Sequence, residues 1–422
     1  MPLKARLLMI AALTVSIIGP VTAATTRQPP LIIPRPKAVR MTGTNVKIDA
    51  AWPVYVAGNA SPLDRQAAAV IAEALGKSAR VLSLDNWDGR HPAIIVGEPK
   101  RSRVLRRLCR NARLVPRSRR EAYGLLISKN VVLVAGNDSE GTFAGAETFC
   151  QLLDQRAWHG GTVPAARIND YPSLSWRGVH LFAGGQALPF HRRLVSRVFG
   201  RCHLNKLVIQ CEQAKWNTTS DVAPVWGMSK RDLVLDATNA RDHGMEVIPL
   251  IESAAHMAWL LNSPKYRSYA EDPKIPFAVQ PADRKVYNKL FPLYDEVIDT
   301  LHPRTMHVGC DELTLRGRFP YKSRARFATS TEALVAHLLP IRQYLEHRGV
   351  ATMIWGDMLV GAGEGPDPGN APPDDAAAAA RRLLPKNIAV CDWHYRASGP
   401  FPSLAAFQNA GFHDVIAATW RS

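Results

Sequence analysis

Two adjacent carboxylates, Asp311 and Glu312, close the segment Thr305 to Leu313, TMHVGCDEL. Along an extended strand neighbouring side chains point to opposite faces, and two like charges inside a buried strand are costly. The pair belongs where a strand runs out into a loop, at the rim of a pocket.

Other segments end in the same way. Strand-like runs occur at 175–182, 205–213, 245–253, 305–313, 351–359, 386–395 and 413–420, separated by longer helical stretches. Their ends carry Arg177, Glu212, Glu252 with His256, Asp311 with Glu312, Trp355 with Asp357, and Asp392 with Trp393 and Tyr395. Continuous apolar runs of this kind indicate parallel strands buried on both faces, with chemistry at their carboxyl ends. Alternation of strand and helix over about 250 residues is the size of a (β/α)8 TIM barrel. Seven strands can be counted and the last one is missing from the count, so an open doubly wound sheet has the same tally. A barrel mouth is the geometry that brings polar and aromatic residues from six strands together.

The chain before Ser175 reads as a separate, small α/β layer. Short strand-like runs such as PAIIVGE and VVLVAG flank helical stretches at 62–77 and after Asp138 or Ser139, either of which can cap a helix. The chain opens with Lys4 and Arg6, a short apolar run broken by Pro20, and small residues at Ala23 and Ala24. This is the pattern of a secretory signal peptide and is too short for a membrane span. The expected organisation is a signal peptide over 1–24, an α/β domain over 25–165 and a barrel over 166–422, exported to the periplasm or outside the cell.

Lys plus Arg number 53 against 36 Asp plus Glu, a formal net charge of +17. Much of the excess lies in KRSRVLRRLCRNARLVPRSRR at 100–120, without interleaved aromatics. A solvated helix face or attraction to acidic glycans accounts for it better than nucleic-acid binding. The six cysteines form no CxxC pair; one or two disulfides are feasible, with Cys211 and Cys310 expected as buried thiols. Without HExxH or clustered histidines no metal is expected, and no phosphate loop joins a strand to a helix.

Several pieces of this chain resemble glycoside hydrolase family 20, the β-N-acetylhexosaminidases. AYGLLISKNVVLVAGNDSEGTFAGAETFCQLL is similar to the end of the family's amino-terminal domain, and INDYPSLSWRG to the entry into its first barrel strand. VIPLIESAAH resembles the third-strand motif ending in an active-site histidine, and HVGCDE the family's His-x-Gly-x-Asp-Glu signature. The resemblance implies a small α/β domain followed by a TIM barrel, and exo-acting, retaining hydrolysis of terminal N-acetylhexosamine from an oligosaccharide or glycoconjugate, without cofactor. Glu312 would be the general acid, and Asp311 would position the 2-acetamido group, whose carbonyl oxygen is the nucleophile. Substrate assistance of this kind departs from the usual pair of protein carboxylates. Arg177 would grip sugar hydroxyls, His256 would contact the acid or the substrate, Glu212 stands where the family has an acidic pair that orients that histidine, and Trp355 and Trp393 would wall the pocket; Asp357, Asp392 and Tyr395 are pocket candidates by position alone.

Each of these positions has a structural alternative. Arg177 can be an ion pair between domains, His256 a structural histidine, and the tryptophans core. The chain also departs from the family where Glu212 is followed by Gln213, where Leu250 stands at an acidic place, and where VHLFAGGQALPF replaces a stretch normally rich in Asp and Arg. A carbohydrate-binding protein on a degenerate barrel is the alternative reading.

Overall fold

The computed structural model describes residues 31–76, 79–365, 374–395 and 400–419. The expected signal segment, 1–24, lies outside them. The first half runs β1 (Ala38–Val46), β2 (Val54–Val56), α1 (Pro62–Leu75), β3 (Val81–Ser83) and β4 (Ala93–Gly97). It continues with α2 (Arg103–Asn111), β5 (Tyr123–Ile127), β6 (Val131–Gly136), α3 (Ser139–Asp154) and β7 (Val163–Asp170). The seven strands form one mixed sheet in the order β1-β7-β5-β6-β4-β2-β3. The expected boundary at 165 falls inside β7, which pairs with β1 as far as Asn169 and with β5 as far as Asp170. Ladder hydrogen bonds to two neighbours hold those last five residues in the first layer.

Helices α1 and α3 pack together over one face of this sheet, burying Ile71 and Phe149 with Val54, Ile94, Val134 and Leu125. Helix α2 covers the other face through Leu105 and Cys109. Its arginines 103, 107 and 110 point to solvent, as expected for a solvated basic face. Helix α3 starts at its expected cap, with Asp138 accepting the Gly141 N–H at 2.8 Å. A Cβ on Gly141 would lie 2.2 Å from the Ala122 carbonyl oxygen, so the helix can meet β5 this closely only with glycine there.

The second half opens with β8 (Gly178–Phe182), α4 (Leu188–Leu194), β9 (Lys206–Gln210), α5 (Lys230–Asp242) and β10 (Glu246–Leu250). It goes on through α6 (Ala258–Leu261), α7 (Arg284–Leu301), β11 (Thr305–His307), α8 (Ser330–His347) and β12 (Ala351–Trp355). It closes with α9 (Asp374–Leu383), β13 (Ala389–Trp393), α10 (Pro402–Asn409) and β14 (Val415–Ala418). All seven strands are parallel and neighbour one another in chain order. Each lies inside an expected run but is shorter, because the polar ends of the runs have left the sheet.

Alternate residues serve the two faces. Leu207, Ile209, Val247, Ile354 and Val390 pack with the helices, whereas Val208, Ile248, Leu250, Met353, Cys391 and Ile416 pack together on the inner face. The sheet is strongly curled. His180 on β8 and Trp355 on β12 are four strands apart, roughly 19 Å in a flat sheet, yet their ring centroids are 5.8 Å apart. Among the described residues β8 and β14 are the edges of this sheet. All six cysteines are free thiols, five of them buried, so the feasible disulfides are not formed.

Candidate active site

Strand β11 ends at His307, and the chain then turns sharply through the left-handed region at Gly309 (φ 67°), Cys310 (φ 77°) and Glu312 (φ 51°). Conformations of this kind are costly for residues with a Cβ and persist only where the surroundings hold them. Two contacts do so here. The His307 Nδ1 accepts the Gly309 N–H at 3.0 Å, and the Asp357 Oδ2 accepts the Glu312 N–H at 2.9 Å. A Cβ on Gly309 would lie 1.8 Å from the Glu252 Oε2, so this position needs glycine for space as well as for φ. Because of the turn, Asp311 and Glu312 are loop residues whose side chains reach the same imidazole.

That imidazole is His256, beyond the end of β10 and itself at φ 54°. Its Nε2 lies 3.1 Å from the Glu312 Oε2 and 3.4 Å from the Asp311 Oδ2. The ring edge packs on Phe277, with centroids 4.8 Å apart. Burial alone would depress its pKa, but hydrogen bonds and charge from Asp311 and Glu312 raise it to about 10. His256 is therefore an imidazolium at neutral pH. One Asp311 oxygen, Oδ1, is buried and has no hydrogen-bond partner among the described residues.

Beneath this trio lies a layer of buried acids. Glu212, beyond β9, accepts the Gln210 amide at 2.8 Å, and burial pushes its pKa up to about 7. Burial pushes Glu252 well above the usual carboxylate range, with the charges of Asp311 and Glu212 adding to the effect and a hydrogen bond from Trp355 opposing it. Asp357 is raised in the same way, by burial and then by Asp311, against hydrogen bonds from the Glu312 backbone and from Trp393. Low dielectric and mutual repulsion thus favour the protonated forms of Glu212, Glu252 and Asp357.

Trp355 closes the inner side, its ring 4.4 Å from His307 and 5.8 Å from His180. Trp393, at the end of β13, is buried and stacks on the half-exposed Tyr395 at 4.7 Å. Strands β9 to β13 therefore bring Glu212, His256, Asp311, Glu312 and Trp355 into one network, with Trp393 joined to it through Asp357 and Tyr395 on the outer side of Trp393. The sequence reading missed the connecting roles of Glu252, Asp357, His180 and His307. Glu252 and Asp357 are acids at strand ends, and His307 opens the HVGCDE motif, which were their available signals; His180 occupies an inward position of an apolar run and gave none.

Arg177 is not part of this network, contrary to expectation. It precedes β8, and its strand partner begins at Lys206, so it lies at the amino end of the sheet, opposite the mouth. Its guanidinium pairs with Glu121 of the first layer and donates to the carbonyl oxygens of His203 at 2.8 Å and Leu174 at 2.6 Å. Asn205 completes the junction by donating to Glu121 at 3.1 Å. The fork of donors that could have gripped a sugar is spent joining the layers. Replacing Arg177 with Met is expected to cost about 3 kcal/mol of stability by leaving a buried carboxylate without its counter-charge. Denaturant unfolding checks this, and turnover per folded molecule should be unchanged.

His256, Asp311 and Glu312 each offer one ligand atom, all within 4.8 Å of one another. The same three atoms are already paired with one another through the His256 Nε2, at 3.1 Å from Glu312 and 3.4 Å from Asp311.

Residues 29–171 match the family model described as glycosyl hydrolase family 20, domain 2. A beta-hexosaminidase of Porphyromonas gingivalis is 26% identical over 226 residues, which are 46% of this chain and 29% of that protein. Human hexosaminidase D is 25% identical over 186 residues, 42% of this chain and 36% of its own length. The matched stretches thus span about a third of these relatives. Among solved structures, the β-N-acetylhexosaminidase of Bacteroides fragilis superposes with a TM-score of 0.69 at 16% identity, over 93% of this chain and 75% of that one. The Streptomyces coelicolor family 20 enzyme gives 0.64 at 17% identity, over 90% and 72%. The amino-terminal layer thus matches the family model for domain 2 of glycosyl hydrolase family 20, and the chain as a whole, curled sheet included, has the fold of the solved family 20 structures.

Proposed function

We propose that this chain is an exo-acting, retaining β-N-acetylhexosaminidase that removes terminal N-acetylhexosamine from oligosaccharides or glycoconjugates by substrate-assisted catalysis. The observation that carries the reading is the divided carboxylate pair: Glu312 and Asp311 share His256, and Asp311 keeps one buried oxygen unpartnered among the described residues. That oxygen suits the N–H of a 2-acetamido group. With the N–H held, the acetamido carbonyl oxygen attacks the anomeric carbon as the glycosidic C–O bond breaks, and the proton that Glu312 shares with His256 passes through Glu312 to the departing oxygen. Water then opens the oxazolinium ion, returning a proton to Glu312 and retaining configuration. Trp355 and Trp393 offer apolar faces to the pyranose ring. The curled sheet is read as the greater part of a (β/α)8 barrel, the first layer as the family's amino-terminal domain, and residues 1–24 as an export signal.

Matched aryl β-glycosides, one with a 2-acetamido group and one with a plain 2-hydroxyl, test the proposal by release of the aryl alcohol. Turnover of the acetamido sugar alone is the expected result. Turnover of the plain sugar would overturn substrate assistance, and silence on both from a folded chain would favour a sugar-binding protein.

A further inference from the structure

Beyond Glu312 the chain forms a loop that is held at both ends. The Leu315 N–H donates to the Glu312 carbonyl at 2.9 Å, and Arg318 returns to Asp272 through its backbone N–H at 3.1 Å and its guanidinium at 2.8 and 3.1 Å. Gly317, at φ 79°, fits against Ile275 and Asp272 where a side chain would crowd them. Between these anchors stands Arg316. Its guanidinium lies 5.7 Å from the ring centroid of Phe277, the ring on which His256 packs.

The two arginines of this loop differ in one respect that matters. The charge of Arg318 is matched by the bidentate Asp272, and its plane lies on Tyr321 at 3.4 Å. Arg316 is exposed and, among the described residues, has no carboxylate within ion-pair distance. The inner side of the site is walled by Glu252, Asp357, Trp355 and Trp393, whereas Arg316 is exposed and lies against Phe277, the ring on which His256 packs. If the acid protonates the departing oxygen, the leaving group extends from the site toward solvent, past this exposed loop. A guanidinium fork there is matched to an oxyanion such as a carboxylate or sulfate.

We infer that Arg316 is the specificity-determining residue of a leaving-group subsite, and that the subsite takes a glycan whose second sugar carries an anionic substituent. The inference rests on the proposed placement of Glu312 as acid. The net charge of +17 would favour the approach of such a glycan but is spread over the surface. The test therefore needs a control that removes one positive charge elsewhere, and the exposed Arg107 on α2 supplies it.

The full chain is assayed with two disaccharides that differ only in a carboxylate ether on the reducing-side ring, and with their thio-linked, non-hydrolysable counterparts for binding. Wild type is expected to favour the anionic probe by about fivefold, the scale of an exposed ion pair, with the preference shrinking in high salt. Arg316→Met should bring the ratio of the two probes to about one, and Arg107→Ala should leave the ratio at its wild-type value. A wild-type ratio near one, or a preference that survives Arg316→Met, overturns the inference. If neither disaccharide is hydrolysed, the thio-linked pair still decides: an Arg316-dependent binding preference supports the subsite while refuting the proposed activity, and its absence removes both.

Discussion

Glu312→Gln is expected to lower kcat/KM by about a thousandfold on a substrate with a sugar leaving group, and by far less on one whose aryl leaving group departs without a proton. The split follows from the role of the residue. A sugar alkoxide is a poor leaving group and needs the proton, whereas an activated phenolate does not. Glutamine has nearly the same shape, and its carbonyl oxygen can still accept from His256, now 3.1 Å from the Glu312 Oε2. The contact that holds the strained turn is made by the backbone N–H of residue 312 to Asp357, so it survives the change. Loss of activity in a folded variant would therefore report the missing proton. Parallel kinetics on the two leaving groups check this; equal losses on both would show that Glu312 orients the substrate and is not the acid.

The sequence was informative about the strands because their signal is local. A run such as KLVIQ, buried on both faces, has no other stable place than inside a parallel sheet, and all seven runs became strands. Where those strands stop was less legible, since apolar, buried residues such as Val308 and Ile251 continue the run after the chain has left the ladder. The error at Arg177 has a plain physical origin. It precedes the apolar run 178–182, so on a parallel strand it must sit at the amino end, and its resemblance to a substrate-gripping arginine overrode that rule. The reach of β7 to Asp170 could not be seen because INDYP has both strand-like and turn-like residues, and pairing with β1 and β5 decides between them. The buried state of Glu252 and Asp357 was equally hidden: a lone acid at a strand end looks the same in sequence whether it meets solvent or is enclosed by Trp355 or Trp393. What the order of motifs did convey was convergence, because parallel strands carry all their ends to one side.

Asp311 separates the substrate-assisted reading from general electrostatic support for Glu312. Asp311→Ala is expected to lower kcat/KM on the acetamido glycoside by about 10² to 10³, the usual loss when one preorganised polar partner of a transition state is removed. Asp311→Asn, whose amide oxygen can still accept an N–H but carries no charge, should fall between the variant and wild type. A second readout follows from His256, whose pKa of about 10 depends on hydrogen bonds and charge from both neighbouring carboxylates. The folded-state value is raised, so the stabilisation it represents is complete below the ordinary histidine range and disappears as pH rises through about 10. Removing the Asp311 charge leaves one carboxylate to hold the proton, so the His256 titration and the alkaline limb of activity tied to it should both move to lower pH. Proton NMR of the His256 ring and the pH dependence of kcat/KM measure the two shifts independently. If the ring titration moves and acetamido turnover does not fall, Asp311 serves only to charge the histidine; if turnover falls on the acetamido sugar with the titration displaced as expected, the same carboxylate holds both the imidazolium and the nucleophile of the substrate.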